Sequence, residues 1–554
     1  MALSLFQSGL LAAVGFLLLH RFRHLFVRGP LHNIPGPASA SFLSGHMMQL
    51  FDSNGWDFHR SLLENYGSVA KVAGFLGEER LFISDPLALY RIIIKELPQW
   101  DEPRFFYKFN YLLFGDGLTA AEGEEHRKQR KMLNPVFSAK HLRDMVPIFL
   151  DVAYELRTVI RNKTKDGATE IDMLDWMTRT ALELIGRAGL GYSFNVMQDG
   201  SIDEYGSSVK SLFPIVSDYM AFADLLPALM KIGSPRFRRA AVETLPSKGI
   251  QQIKEKVDIM EKTSERIYQE KLNALQRGDD ELAKQVGRGK DIMSLLLKEN
   301  LTASEKDRLS VSQVLGQMST LIFAAMDTTS SALSKILYLL ATHPEAQDKL
   351  RHEVRQVHAA GEFTYDTLEK MPYLEAICRE TLRLHPPVTM LNRRATQDTV
   401  LPLSMPVRGQ DGTLVTEIPV PKGTRLFVSI LSLNRNKALW GADAYEWKPE
   451  RWLAPLPAEI TDSKTPGVYS NIMTFSGGAR GCIGFKFSLL EMKTVLSVLV
   501  ETFKFELIED IAWDMNLIVV PRPASAPADG KSPYLPMKIT LVGEGEGETE
   551  KVEA

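Results

Sequence analysis

The apolar positions divide the chain into one uninterrupted run near its start and a long series of shorter periodic segments. Leu3 to Leu19 has no charged residue, and its 17 residues lie near the lower limit for crossing a bilayer, which suits a thin membrane such as the endoplasmic reticulum. Arginines follow directly at Arg21, Arg23 and Arg28, and such cations favour the cytosolic side. This pattern predicts a single-pass membrane anchor within residues 1–30, with the rest of the chain in the cytosol.

A cleavable secretory signal is the alternative interpretation of the same run. No basic residue precedes the apolar stretch, however, and no small-residue cleavage site is clear. The sequence Ile34-Pro35-Gly36-Pro37 then breaks any helix that leaves the membrane, and it predicts a proline-rich hinge over residues 31–50. At the other end, residues 543–554 are acidic and rich in glycine, which predicts a disordered tail.

Helical periodicity dominates residues 51–542, which we predict to form one folded domain. The segment from 51 to 97 also contains short apolar alternations typical of strands, at Val69 to Ala73 and Arg80 to Ile83. The predicted helices are Trp56 to Tyr66, a succession of amphipathic helices from 142 to 276, Val311 to His343, and the pattern from Phe485 to Val500. The predicted fold class is therefore mainly α with a small β lobe.

The segment from Asp101 to Leu118 is rich in Phe and Tyr and contains glycines. Two interpretations stay open: a surface loop packed on the core, or a loop that covers an apolar substrate. Glu122 to Leu133 starts with acids and ends with bases, which is the favourable order along a helix dipole. Taken alone, that charge pattern is typical of a solvated helix face.

Composition removes several function classes. The formal net charge is −3, which argues against a nucleic-acid partner. Cys378 and Cys482 are the two cysteines of 554 residues, too few for a disulfide framework, so a reducing compartment is favoured. No predicted strand leads into a G-x-G-x-x-G loop that opens a helix, so NADPH is not expected to bind this polypeptide.

Two stretches have residues suited to redox chemistry. The loop from Phe475 to Gly484 presents Cys482 between glycines, which let the backbone approach a large flat group and leave amide N–H groups free to face the sulfur. The bland alternative is a small buried hydrophobic residue. At the centre of the long helical pattern, Asp327 and Thr328 follow small residues, and an acid beside an alcohol can carry protons. Hydroxyls bonded to their own helix are the alternative there.

Phe475, Gly478, Arg480, Cys482 and Gly484 together reproduce F-x-x-G-x-R-x-C-x-G, the haem-binding loop of the cytochrome P-450 family, which the chain resembles. In that family a cysteine thiolate holds the haem iron. The resemblance implies that Cys482 is the axial ligand of haem b, iron protoporphyrin IX. It also implies a cytochrome P-450 fold behind an N-terminal transmembrane helix.

The centre of the long helix matches the family's [AG]-G-x-[DE]-T-[TS] motif, except that Ala325 stands where glycine is usual. The resemblance implies that Asp327 and Thr328 supply protons to bound oxygen through water, and that the methyl group of Ala325 narrows the pocket. The family's W-x-x-x-R pattern is kept by His126 and Arg130, with histidine in place of tryptophan. It implies that both contact a haem propionate.

Arginines further along the chain are the remaining candidates for contact with the haem propionates. Spacing from the E-x-x-R motif favours Arg393 for a haem propionate, together with Arg480, because the neighbouring Arg394 must point to the opposite face of a strand.

Glu380 and Arg383 alone form an uninformative i, i+3 pair. The family joins this pair to the arginine of a later P-E-R-[FW] segment, which implies a buried ion network of three side chains behind the haem loop: Glu380, Arg383 and Arg451.

These implied features favour a haem-thiolate monooxygenase that inserts one oxygen atom from O2 into an apolar small molecule. The segments GKDIMSLLLKEN and WGADAYEWKPERW resemble fungal membrane-bound enzymes, whose substrates are secondary metabolites such as terpenoids or steroids, or foreign aromatics. The implied electron source is a separate flavin-containing NADPH reductase, which would dock on Arg127, Lys128 and Lys131. The alternatives are a haem-thiolate isomerase or dehydratase, and a non-catalytic membrane haem protein.

Overall fold

The computed structural model describes residues 29–198, 203–217, 219–278, 281, 285–528 and 533–543. The predicted anchor at Leu3 to Leu19 and all of the predicted tail except Gly543 lie outside these residues. Within the described ranges, no helix combines the length and apolar character needed to span a bilayer.

The described chain is mostly helical, as predicted. Short 3-10 and π segments extend or join several of the α-helices, as at Ile185–Leu190 and Met220–Leu225. The α-helices are α1 (Met47–Leu50), α2 (Trp56–Tyr66), α3 (Pro86–Tyr90), α4 (Arg104–Phe114), α5 (Gly123–Leu133), α6 (Ala139–Thr164), α7 (Met173–Leu184), α8 (Glu204–Ser217), α9 (Leu226–Leu229), α10 (Pro235–Glu243), α11 (Lys248–Arg277), α12 (Ile292–Thr302), α13 (Val311–Thr342), α14 (Pro344–Ala359), α15 (Tyr365–Glu369), α16 (Pro372–Leu384), α17 (Ile430–Asn434), α18 (Lys437–Trp440), α19 (Ala458–Thr461) and α20 (Phe485–Thr502).

Four small sheets accompany the helices. Their strands in the described residues are β1 (Val69–Ala73), β2 (Glu79–Ile83), β3 (Trp100–Asp101), β4 (Thr169–Asp172), β5 (Met390–Ala395), β6 (Thr399–Arg408), β7 (Leu414–Val420), β8 (Arg425–Ser429), β9 (Phe503–Leu507), β10 (Ile511–Asp514), β11 (Val520–Pro523) and β12 (Pro536–Leu541). The largest sheet has the strand order β1-β2-β8-β5-β3, and a three-stranded sheet has the order β4-β12-β9. Strand β6 pairs with β7, and β10 pairs with β11.

The long helix α13 runs through the middle of the molecule. It begins with a capping box, in which Ser310 and Gln313 satisfy each other's backbone N–H groups, and it ends at Thr342, two residues before Pro344. Most of its residues are buried on all sides, against α7, α11, α16 and α20. A helix that is apolar around its circumference needs this central position.

For the aromatic segment from Asp101 to Leu118, the sequence left two interpretations, and both were loops. Both are wrong for most of the segment. Residues Arg104–Phe114 form helix α4 instead. Tyr107, Asn110 and Phe114 recur at helical spacing and are buried, so packing of one face stabilises the helix. Gly115 ends it with a φ of +78°, a conformation that favours glycine.

The five-stranded sheet has two buried faces of different kinds. Leu81 and Val428 point into the main core. Phe82 and Phe427 point to the opposite face, where they pack with Met47 and Leu62 of α1 and α2 as a small separate core. We call this second side the outer face of the sheet.

Candidate active site

The cysteine loop folds tightly before α20 begins. The backbone N–H of Cys482 donates to the carbonyl of Phe475 over 2.8 Å, which closes the loop on itself. Gly478 has a φ of +62°, and a Cβ atom at this position would lie 2.2 Å from the carbonyl oxygen of Ile93. Only glycine fits there, so the motif glycine serves the protein's own packing.

The sulfur of Cys482 faces an internal space. The side chain of Cys482 is exposed. Protein nevertheless surrounds the sulfur closely enough that burial raises the pKa of the thiol, while the Gly484 amide and the Arg130 charge oppose this rise. Both observations place the sulfur in the wall of a cavity inside the molecule.

Gly484 is a glycine that the protein itself does not require. Its φ is negative, and the nearest atom to an added Cβ is Phe137 Cε1 at 3.8 Å, an ordinary contact. The backbone beside Cys482 thus leaves room for a methyl group that the sequence does not supply. This open side of the loop suits a large flat group that approaches the backbone.

Basic side chains surround the same region. Arg130 of α5 donates from Nη1 to the Gly481 carbonyl over 2.7 Å, and Arg480 donates from Nη2 to the Tyr107 hydroxyl and to the Ala121 carbonyl, over 3.1 and 3.0 Å. Burial, together with the charges of Arg480 and Arg130, lowers the pKa of His126 to about 3. His126 is therefore neutral at physiological pH and can donate one hydrogen bond.

Arg393 and Arg394 point to opposite faces of β5, as the strand geometry predicts. Arg393 is 4% exposed, and its Nη1 lies 3.3 Å from a carboxylate oxygen of Glu102. The other carboxylate oxygen of Glu102 is buried and has no hydrogen-bond partner among the described residues. No sequence signal marks Glu102, because an acid after a two-residue strand has no characteristic spacing.

The centre of α13 is open where its flanks are closed. Leu321, Ile322 and Met326 are buried, but Ala324 between them is exposed, which places an internal space beside this turn. Thr328 Oγ1 donates to the Ala324 carbonyl over 2.7 Å. The hydroxyl thus competes for a carbonyl that the helix also uses, which loosens the helical ladder locally.

Asp327 is the acid of this turn. Burial raises the pKa of its carboxyl to about 7, against the opposing charge of Lys210. At neutral pH the group is therefore divided between its protonated and ionised forms. A carboxyl in this state can both give and take a proton.

Two helices bring the open turn and the cysteine loop together. Thr329 follows Thr328 directly, and Ser488 lies six residues after Cys482. The distance from Thr329 Oγ1 to Ser488 Oγ is 3.1 Å. Glu491 lies on the same side of α20, where it is fully buried, and neither of its carboxylate oxygens has a hydrogen-bond partner among the described residues. Burial raises the pKa of Glu491 well above its usual range, so it is a neutral acid between the two helices. Sequence analysis assigned Glu491 no role, although an acid in an apolar helix was a usable signal.

A second missed feature lies above the open turn. The ring of Phe323 on α13 stacks on the ring of Phe114 on α4, with centroids 4.6 Å apart and planes 13° apart. This pair joins the aromatic helix to the long helix directly beside Ala324. An apolar, aromatic wall therefore borders the space that Ala324 faces.

The predicted ion network forms behind the cysteine loop. Glu380 and Arg383 are fully buried, and two parallel hydrogen bonds of 2.9 and 2.8 Å join them. The remaining guanidinium N–H groups of Arg383 donate to the carbonyls of Asn434, Ala444 and Glu446. Arg451 Nε reaches Glu380 over 3.4 Å, so the structure brings all three predicted side chains together.

The residues present fit a flat cofactor held by a thiolate. One wall has a sulfur beside a glycine with free space, and Arg130, Arg480 and His126 lie close together near it. The helix beside this region presents small residues, an acid and a hydroxyl. Such a donor set suits iron ligation by sulfur and recognition of carboxylates by arginine.

Comparison with known proteins agrees with this site. The cytochrome P-450 family model matches residues 35–523. Cytochrome P-450 monooxygenase 91 of Postia placenta is 50% identical, over 98% of this chain and 99% of its own length. A ganoderic acid synthetase of Ganoderma lucidum is 45% identical over 95% and 96% of the two chains, and a cytochrome P-450 monooxygenase of Hericium erinaceus is 36% identical over 96% and 97%. The chain therefore belongs to the cytochrome P-450 family of haem-iron monooxygenases, the family that its motifs predicted.

Proposed function

We propose that the chain inserts one oxygen atom from O2 into an apolar secondary metabolite, with electrons from NADPH through a separate flavoprotein reductase. The observation that supports this most directly is the pairing of a cavity-wall cysteine with an open helix turn that holds Asp327 and Thr328. A haem protein that only carries its cofactor has no need for a proton-handling turn.

The cofactor in this proposal is haem b, with Cys482 as axial ligand. Haem iron bound by a thiolate supplies the activation of dioxygen. Arg130, Arg480, Arg393 and the neutral His126 would hold the carboxylates of the porphyrin. Phe475 packs edge-on and tilted against Tyr469 and Phe485, which supports the loop that presents the sulfur.

In the proposed reaction, the chain's own part is proton control and exclusion of water. Asp327, with a pKa of about 7, exchanges protons with water, and Thr328 orients the last donor toward the reacting oxygen. The stacked rings of Phe114 and Phe323 exclude bulk water from the substrate side.

The electron partner would dock on the surface of α5. Arg127 and Lys131 are exposed, and Lys128 is partly exposed. Each has one acidic neighbour: Arg127 pairs with Glu124, Lys131 with Asp307 and Lys128 with Glu125. An acidic patch on the docking partner would compete with these surface ion pairs. Breaking them costs little free energy, because exposed ion pairs are weak. The proposal also places the catalytic domain on the cytosolic side of the endoplasmic reticulum membrane, held by the predicted anchor.

The substrate class follows from the apolar wall and from one relative. An aromatic and aliphatic border beside Ala324 favours a large apolar molecule over a polar one. One relative, from Ganoderma lucidum, is named a ganoderic acid synthetase. We extend from that name that this chain acts on a secondary metabolite, with terpenoids, steroids and foreign aromatics as the classes to test.

A spectrum tests the cofactor. Purified full-length protein, reduced and exposed to carbon monoxide, should show the red-shifted Soret band of thiolate-ligated haem, and Cys482→Ser should lose that band. A wild-type protein without this band contradicts the proposal. Substrate-induced spectral shifts across terpenes, steroids, fatty acids and polycyclic aromatics then rank the ligand classes.

A matched pair of threonine variants tests the reaction. Thr328→Ala should leave NADPH consumption largely intact while product falls about tenfold or more, because proton delivery goes astray. Thr342 makes the same type of hydrogen bond, to the carbonyl of Tyr338, at the exposed end of the same helix, so Thr342→Ala is the control. Product formed without reductase and NADPH would favour the isomerase or dehydratase alternative, and absence of any turnover would favour the haem carrier.

A further inference from the structure

Three arginines stand side by side on the outer face of the five-stranded sheet. Arg80 of β2 is the register partner of Arg425 of β8, and Arg425 is the register partner of Arg394 of β5. Direct cross-strand neighbours share one face with about 5 Å between their Cβ atoms, and like charges in such positions repel. We call these residues the arginine row.

Acids compensate two of the three cations. Glu78 Oε2 lies 2.7 Å from Arg80 Nη2, and Asp224 Oδ2 lies 2.6 Å from Arg425 Nη1 and 3.9 Å from Arg80 Nη2. Arg394 has no acid within ion-pair distance in the described part of the chain, and its Nε is buried without a hydrogen-bond partner. Its register neighbour Asp101 already accepts hydrogen bonds from the Tyr107 hydroxyl and the Glu102 amide.

Asp224 does not belong to the sheet. It lies in the segment Met220–Leu229, which links α8 to the helices that follow and which we call the cover segment. The cover segment packs on α4 as well as on the arginine row. Since α4 begins directly after β3, at the edge of the sheet beyond Arg394, the cover segment spans the sheet from β2 and β8 to α4, and Arg394 lies between these two attachments.

The surroundings of the row are apolar. Phe427 lies under Arg80, with 5.7 Å from the guanidinium carbon to the ring centroid, and Phe51 packs edge-on against Phe427. Phe51 is 55% exposed, and Leu225, next to Asp224, is also 55% exposed. A strip of cations rimmed by exposed apolar side chains matches an amphipathic ligand with one acidic end.

We propose that the arginine row is a binding site for the carboxylate of an amphipathic small molecule, and that Asp224 occupies this site when the cover segment is closed. An incoming carboxylate takes over Arg425 and engages the unpaired Arg394, which releases Asp224 and lets the cover segment lift. The apolar part of the ligand then passes between the cover segment and α4 toward the Phe114 and Phe323 wall. Because it names a substrate class, apolar molecules with one carboxylate, this inference rests on the proposed monooxygenase function.

The test compares dodecanoate with its methyl ester on haem-loaded full-length protein, without reductase or NADPH. Tryptophan fluorescence gives the affinities, and hydrogen exchange of peptides from 219 to 229 reports release of the cover segment. Dodecanoate should bind about tenfold more tightly than the ester, since charge-assisted hydrogen bonds contribute that much. It should also speed exchange of the cover segment, which the ester should not do.

Variants locate the effect. Arg425→Gln and Arg394→Gln should each remove most of the preference for the acid, while affinity for the ester stays within about twofold of wild type. Arg394→Gln leaves the Asp224 contact intact and so remains informative if Arg425→Gln folds poorly. Asp224→Asn should bind the acid several-fold more tightly and show fast exchange without ligand. Arg161→Gln, an exposed arginine on α6, is the matched control and should behave as wild type.

Several outcomes would overturn the inference. Equal binding of acid and ester would do so, and so would loss of preference in Arg161→Gln to the same extent as in Arg394→Gln. A third arm uses phosphatidylcholine vesicles with and without phosphatidylserine; a response to phosphatidylserine but not to dodecanoate would assign the row to a lipid surface instead. Oxygenation of a neutral terpenoid with no acid preference would leave the proposed function standing and reject this inference alone.

Discussion

The two sides of the active site differ in how their polar groups are satisfied. Behind the cysteine loop, Arg383 uses all five of its N–H groups, and Glu380 also accepts from the Trp452 indole and the Lys448 amide. At the open turn of α13, by contrast, the charge that opposes the raised pKa of Asp327 is that of Lys210, whose ammonium group also pairs with Asp175, and Ala324 faces an internal space. We call the first region the saturated side and the second region the open side. The hydrogen bonds of the saturated side hold its side chains in one arrangement, whereas the carboxyl group of the open side can still exchange a proton.

The strongest way to break this comparison is to remove one charge from the saturated side. Glu380→Gln leaves Arg383 buried with a positive charge and no acid, so the free energy of unfolding should fall by about 3–5 kcal/mol. Chemical denaturation measures this loss, and haem content per chain should fall with it. Asp258→Asn is the control, because its bidentate pair with Arg239 is partly exposed and should cost less than about 1 kcal/mol. Equal losses in the two variants would contradict the contrast.

Two glycines of the cysteine loop, Gly478 and Gly484, show the same contrast: protein atoms fill the space beside the first and leave it open beside the second. Gly478→Ala forces a Cβ into the Ile93 carbonyl from a positive φ, so it should lower the unfolding free energy by about 1–3 kcal/mol. Gly484→Ala meets no protein atom closer than 3.8 Å, so it should change the stability of the haem-free chain by less than about 0.5 kcal/mol. It should nevertheless reduce haem retention. Full retention of haem by Gly484→Ala would show that no flat group approaches the loop there.

Sequence predicted best the boundaries and motifs that local signals mark. Trp56–Tyr66 and Val69–Ala73 have the predicted bounds, and Val311–Thr342 ends one residue before the predicted limit. Capping residues, proline and glycine mark such boundaries locally. The E-x-x-R and P-E-R-W segments belong together in the family, and the structure places Glu380 against both Arg383 and Arg451.

What sequence missed depends on contacts between distant segments. Strand β4 owes its existence to β12, more than 360 residues later, and has no periodicity of its own over four residues. The helix at Arg104–Phe114 contains six aromatic residues, which obscure helical spacing until the packed face is known. The arginine row likewise emerges only from strand register, because its three members are far apart in the chain.

On the open side, the charge of Asp327 can be tested through pH. Its pKa is about 7 in the folded chain and 3.8 ordinarily, so between pH 4 and 7 the folded state holds a proton that the unfolded state has lost. Stability should therefore fall as pH rises through this window, and the loss is complete above pH 7. Asp327→Asn removes this dependence, and its stability relative to wild type should grow by about 2.5 kcal/mol from pH 5 to 7.5. Parallel urea-unfolding midpoints for the two proteins would contradict the assignment.

The smallest expected effect concerns the methyl group of Ala325, the departure from the family motif. Ala325→Gly should cost about 1 kcal/mol of helix stability, and Ala341→Gly near the end of the same helix should cost a similar amount. Only the first change enlarges the space beside the open turn, so bulky apolar ligands should bind it about two- to tenfold more tightly, while small ligands bind as before. Ligand titration by spectral shift measures both series. If Ala341→Gly improves bulky-ligand affinity equally, helix flexibility rather than pocket volume governs the selectivity.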